Sequence, residues 1–125
     1  MPIRLMLLAV MLAGALGPAQ TARGEALGDP ARGERLWRLC SGCHMVGPNA
    51  RNRIGPHLND LFGRRAASVP GYRYSADMAR AGADGLIWTA ETLNAYLENP
   101  RTLVTGTRMA FRGMPDAGDR ADLIA

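Results

Sequence analysis

Apolar and polar positions divide the 125-residue chain into two parts. From Leu5 to Leu16 the residues are apolar or small, behind a single positive charge at Arg4 and ahead of small residues from Gly17 onward. That layout is a secretory signal. Gly24-Glu25-Ala26 offers a small-x-small cleavage site, with Ala13-Gly14-Ala15 and Ala22-Arg23-Gly24 as competitors. As a helix, the apolar run would span only about 18 Å of a ~30 Å hydrocarbon core. Residues 1–26 are therefore expected to be an export signal with a periplasmic product, and a membrane tether is the weaker alternative. Residues 27–125 make one domain.

Within that domain the pattern predicts short helices joined by loops. Asp29-Pro30 reads as an N-cap followed by proline at the first helical position. The helix it opens carries Gly33, Leu36 and Trp37, with Cys40 near its end. Gly47 to Pro56 is a loop rich in Gly, Pro and Asn, after which Leu58, Leu61 and Phe62 supply apolar anchors. Ser75 to Ala81 predicts a short helix ended by Gly82. Thr89 to Asn99 is the clearest helix: Thr89 caps it, Trp88 and Leu93 take the two positions of a hydrophobic staple, and Pro100 stops it. Asp116 opens a last helix with Asp119 in its first turn, where acidic charge suits the positive helix end. No run alternates with the period of a half-buried strand. The predicted class is all-α.

Charge adds one fact. All 15 basic residues are arginine, against 11 acidic ones, for a net charge of +4. The arginines are scattered and there is no aromatic platform, which argues against a nucleic-acid partner.

The chemistry is concentrated in Cys40-Ser41-Gly42-Cys43-His44. Two thiols three positions apart with a histidine after the second match the attachment site of a c-type haem. Each cysteine adds across one haem vinyl group, and the next imidazole lies under the iron. Three other readings compete. A thioredoxin-like redox pair needs a βαβ setting that is not evident. A zinc site would have to use Cys40, Cys43, His44 and His57, and it lacks the final His-x₃₋₅-His pair. A disulfide across a two-residue gap would close a small, strained ring. A domain of this size also gains from a cofactor that completes its core.

What fills the other iron position separates an electron carrier from an enzyme. Met109 lies in a loop between two predicted helices, while Met45, Met78 and Met114 are equally soft side chains that could serve as gap-fillers. If no methionine bound, a small haem peroxidase or gas sensor would be the alternative.

Five blocks in order extend the picture: Cys40-Ser41-Gly42-Cys43-His44, Gly55-Pro56-His57-Leu58 with Leu61-Phe62-Gly63-Arg64, Tyr96-Leu97-Glu98-Asn99-Pro100, Gly106-Thr107-Arg108-Met109, and Arg120-Ala121-Asp122-Leu123-Ile124-Ala125. Together they resemble the class I c-type cytochromes of mitochondria and alphaproteobacteria, over the whole stretch from Gly28 to Ala125. The resemblance implies an all-α cytochrome c fold around one haem c, held by Cys40 and Cys43, with His44 and Met109 as iron ligands. It further implies that Pro56 accepts the free N–H of His44, and that Arg64, Tyr74 and Trp88 meet a haem propionate. Tyr96 and Thr107 would line the methionine side, and Phe111 would shield the haem edge. Gly33 and Trp37 would lie where the first helix crosses the last, against Leu123.

The chain departs from that family in three places. His57 stands where asparagine is common and is expected to be a neighbour of the haem loop, not a ligand. The stretch from Tyr74 to Trp88 is longer than in mitochondrial members. The final helix stops at Ala125, apparently truncated against its usual extent: either the sequence is cut short or the terminal helices stack less completely.

The implied function is one-electron transfer between Fe(III) and Fe(II), without substrate chemistry. Quinol–cytochrome c reductase is the implied donor, and a terminal oxidase or photosynthetic reaction centre the acceptor. A dedicated periplasmic dehydrogenase is the alternative partner, and no stable oligomer is expected. Arg38, Arg51, Arg53, Arg101, Arg108 and Arg112 flank the ligand-bearing segments, whereas Asp116, Asp119 and Asp122 sit on the last helix. That asymmetry is expected to steer the carrier toward acidic partner surfaces.

Overall fold

The computed structural model describes residues 28–125, so the expected export signal lies outside the described residues. Five helices follow in order: α1 Pro30–Leu36, α2 Ala76–Ala83, α3 Ala90–Glu98, α4 Pro100–Leu103 and α5 Ala117–Ile124. Among the described residues, the one extended pairing is an isolated antiparallel bridge between Arg65 and Ile87. The all-α expectation holds.

Local chemistry accounts for the helix ends. The Asp29 carboxylate accepts the N–H groups of Ala31 and Arg32, with Pro30 at N1. Helix α1 then tightens into a 3₁₀ turn at Trp37–Leu39 instead of running on to the cysteines. Two successive turns, closed by Cys40 N–H to Trp37 O and by His44 N–H to Cys40 O, bring the chain round at the motif. Ser75 caps α2 by accepting the Met78 N–H at 3.1 Å. Gly82 does not end that helix, which runs to Ala83. It is buried inside it, at a point where a Cβ would come within 2.1 Å of the Ala66 carbonyl oxygen. The left-handed residue that follows is Gly85, φ +98°.

Helix α3 begins with a reciprocal cap. Thr89 Oγ1 accepts the Thr92 N–H and Thr92 Oγ1 accepts the Thr89 N–H. Asn99 leaves the helical region at φ −155°, as expected before proline. It then caps α4 by accepting the Arg101 N–H, so Pro100 stops one helix and starts the next.

The chain ends are joined where α1 crosses α5. A Cβ on Gly33 would lie 1.9 Å from the Asp122 carbonyl oxygen, so only glycine permits this approach. Asp122, 8% exposed, accepts the Asp29 N–H at 2.7 Å and lies 3.4 Å from Arg32 Nε. Around these helices is a small core of Ala66, Met78, Trp88, Tyr96 and Val104, with Leu61, Tyr74, Leu93 and Met109 half-buried against it. The core forms part of the lining of one deep cleft.

Candidate haem cleft

All eleven expected site residues line that cleft: Cys40, Cys43, His44, Pro56, Arg64, Tyr74, Trp88, Tyr96, Thr107, Met109 and Phe111. They come from every part of the domain between residues 40 and 111, and helices and turns bring them together. The cavity is about 250 Å³ and mostly apolar, far larger than the voids of a close-packed interior.

At the motif, both cysteines are free thiols. Burial pushes the Cys40 thiol above its usual range, and nearby Cys43 pushes it the same way. A redox pair works through a thiolate with a lowered pKa, so this environment speaks against one. His57 does not line the cleft, and among the described residues no group of three or more His, Cys, Asp or Glu is arranged to hold a metal ion.

The imidazole of His44 is fixed from behind. Its Nδ1 donates to the Pro56 carbonyl oxygen at 2.7 Å, which leaves Nε2 free to act as a ligand. Gly55 lies flat against the ring: a Cβ there would come within 2.3 Å of His44 Cε1. His57, one residue on, is held through its backbone. Its N–H donates to Asn52 and its carbonyl accepts from Arg64, while its buried Nδ1 has no partner among the described residues.

Around Met109, the Tyr96 hydroxyl lies 2.7 Å from Thr107 Oγ1, which also accepts the Met109 N–H at 3.2 Å. Burial raises the Tyr96 phenol above its ordinary range, and the Thr107 hydrogen bond offsets this only in part. Of the other methionines, Met45 and Met114 do not line the cleft; Met78 does, from within the core cluster on α2.

The polar groups are also anchored. Arg64 Nη1 donates to Asn59 O at 2.7 Å and Nη2 to His57 O at 3.1 Å. The Tyr74 hydroxyl accepts the Val69 N–H, and burial raises its pKa against the opposing pull of that bond and of Arg64. Trp88 is 7% exposed and lies 5.1 Å from the Tyr96 ring, centroid to centroid. Sequence reading missed Tyr72, which also lines the cleft. It donates to Ile54 O at 2.7 Å and meets Tyr74 edge-on. Tyr-x-Tyr spacing in an extended segment, which puts both phenols on one side, is the signal that could have found it.

The surface charge differs from expectation in one respect. Arg38, Arg51, Arg53, Arg101, Arg108 and Arg112 are exposed, and Arg108 lines the cleft. However, the terminal helix is not a free acidic face. Asp122 is buried, Asp119 pairs with Arg32, and Asp116 is used as the α5 cap.

These residues fit a covalently attached haem. Two free thiols and an oriented imidazole share one apolar cleft with a thioether, and Gly55 leaves room for the imidazole. No protein-family model matches the chain. It is 45% identical over 105 residues to a cytochrome c2 of Rhodomicrobium vannielii, covering 84% of this chain and 82% of that one. To a cytochrome c2 of Afifella marina it is 46% identical over 95 residues, 76% of this chain and 77% of the relative. Its fold matches the solved cytochrome c2 of Rhodospirillum centenum with a TM-score of 0.72 at 39% identity, covering 78% of this chain and 93% of that one.

Proposed function

The chain belongs to the class I c-type cytochromes, haem-bearing electron-transfer proteins and not enzymes, and on that footing we propose that it carries single electrons through a haem ligated by His44 and Met109. When bound, the haem supplies an iron that alternates between Fe(III) and Fe(II). Cys40 and Cys43 would hold the porphyrin through thioethers. His44 would give Nε2 to the iron while Nδ1–H stays on Pro56, so the imidazole need not move or change tautomer during a cycle. Met109 would give a soft sulfur, which favours the reduced metal and raises the potential. With His44 and Met109 both held to the iron, neither dioxygen nor peroxide would have a place to bind.

Arg64, Tyr74 and Trp88 would face a propionate. The carbonyl anchors of Arg64 fix its guanidinium before any carboxylate arrives. Tyr96 and Thr107 would position the Met109 segment, and Phe111 would keep water from the haem edge. Export through residues 1–26 would place the carrier in the periplasm, and no helix among the described residues is long and apolar enough to cross a membrane. There it would run between quinol–cytochrome c reductase and a terminal oxidase or photosynthetic reaction centre, its exposed arginines meeting their acidic surfaces.

The observation that carries this reading is that Cys40, Cys43, His44 and Met109 all line one cleft, with His44 already oriented by Pro56. Met109→Ala tests it. The substituted protein should lose the weak far-red band of a methionine–iron bond and bind cyanide or carbon monoxide rapidly. Unchanged ligand binding and potential would reject Met109.

A further inference from the structure

Between Met109 and α5 the chain forms a strap without helix or strand pairing, yet it is fixed at several points. Upstream, Thr107 joins it to Tyr96 on α3. Downstream, the Met114 N–H donates to Leu97 O at 2.7 Å. Gly113, at φ +104°, passes so close to α3 that a Cβ would be 2.1 Å from Glu98 O.

The last fastening is Arg120. Its side chain is 7% exposed, and Nη1 donates to Met114 O at 2.6 Å and to Pro115 O at 3.1 Å. Nε donates to Asn94 Oδ1 on α3 at 2.8 Å. A carboxylate partner does not account for this burial. Glu98 is 3.9 Å from Nη2 and itself 60% exposed, and such a pair returns little of the several kcal/mol that desolvating a cation costs. The strap carbonyls and the α3 amide take most of the guanidinium's hydrogen bonds. Because its donors form a rigid planar fork, the strap cannot lift without stripping Nη1 of this buried cation of both its acceptors.

We infer that Arg120, by binding the carbonyls of Met114 and Pro115 from α5, holds the strap that carries Met109 and so governs how firmly that thioether stays on the iron. It is a positioning residue and touches neither haem nor ligand. The inference rests on the proposed role of Met109.

The test uses the haem-loaded ferric protein, with free imidazole as the competitor for the methionine position. Arg120→Met should bind imidazole at least about tenfold more tightly than the parent, equivalent to ~1.4 kcal/mol, with a weaker far-red band. Arg120→Lys, which keeps charge and one donor, should fall between them. Asn94→Ala should shift affinity in the same direction by less. Exchange of the Met114 amide should accelerate in Arg120→Lys. Asp29→Ala is the control, since it removes the side-chain cap of α1, away from the strap; its imidazole affinity should stay at the parent value. If Arg120→Met fails to fold, the lysine and Asn94 variants decide. Unmoved affinity in them, or an equal shift in Asp29→Ala at matched urea midpoint, overturns the role of Arg120. A parent protein without the far-red band rejects the Met109 assignment, and this inference with it.

Discussion

His44 Nδ1 lies 2.7 Å from the carbonyl oxygen of Pro56, and the residue between motif and proline that makes this possible is Gly55. The hydrogen bond selects the tautomer and orientation of the ring. The missing side chain at 55 leaves the ring its place.

Gly55→Ala should therefore destabilise the protein by about 1–3 kcal/mol, the usual cost of overpacking, and disturb the iron spectrum. Gly42→Ala is the matched control, because a Cβ there meets nothing within 4 Å. Urea unfolding of both checks the prediction; equal midpoints would contradict it.

Thr107→Val removes the hydroxyl shared by Tyr96 and the Met109 N–H. A buried phenol left without a partner costs about 1–3 kcal/mol. The far-red band should weaken together with the loss of stability. A variant as stable as the parent, with its band intact, would show that this hydroxyl holds nothing.

Alkali should weaken the fold through the same phenol. Burial holds Tyr96 above its ordinary pKa, and Tyr74 as well. Above pH ~10 the unfolded chain loses protons that the folded chain keeps, so the stabilisation present below that pH declines as pH rises through the folded values. Melting of the reduced protein between about pH 9 and 11 measures this. Tyr96→Phe should flatten the decline, whereas stability rising with pH would contradict the sign.

If the exposed arginines meet acidic partner surfaces, as proposed, the electron-transfer rate should depend on salt. Raising ionic strength from about 0.01 to 0.15 M shortens the screening length from ~30 to ~8 Å, and the rate should fall. Arg38→Glu should lower the low-salt rate and flatten the slope. Arg80→Glu, on α2 where its arginine already pairs with Asp77, should do neither. A rate indifferent to salt would reject steering.

Much of this was legible in the chain because motif chemistry is local. The haem pentapeptide, the Asp29-Pro30 cap and the Trp88–Leu93 spacing each need only a few neighbouring residues. Other features depend on distant segments. Gly82 looks like a helix stop, but it answers to the Ala66 carbonyl. Asp119 and Asp122 look like a free acidic face until α1 brings Arg32 to them. Thr92 stands where a capping box ordinarily has Glu or Gln, yet its hydroxyl makes the same reciprocal bond. The burial of Arg120 could be anticipated only by knowing that the strap passes beneath α5.

The most direct measurement is the mass of the denatured protein after expression with haem-maturation machinery. The mass should be that of the mature polypeptide plus one haem that survives denaturation, and that stable increment should be lost when Cys40 and Cys43 are both replaced by alanine. A parent protein that came through properly matured, yet had the mass of the bare polypeptide, would contradict covalent attachment of the haem.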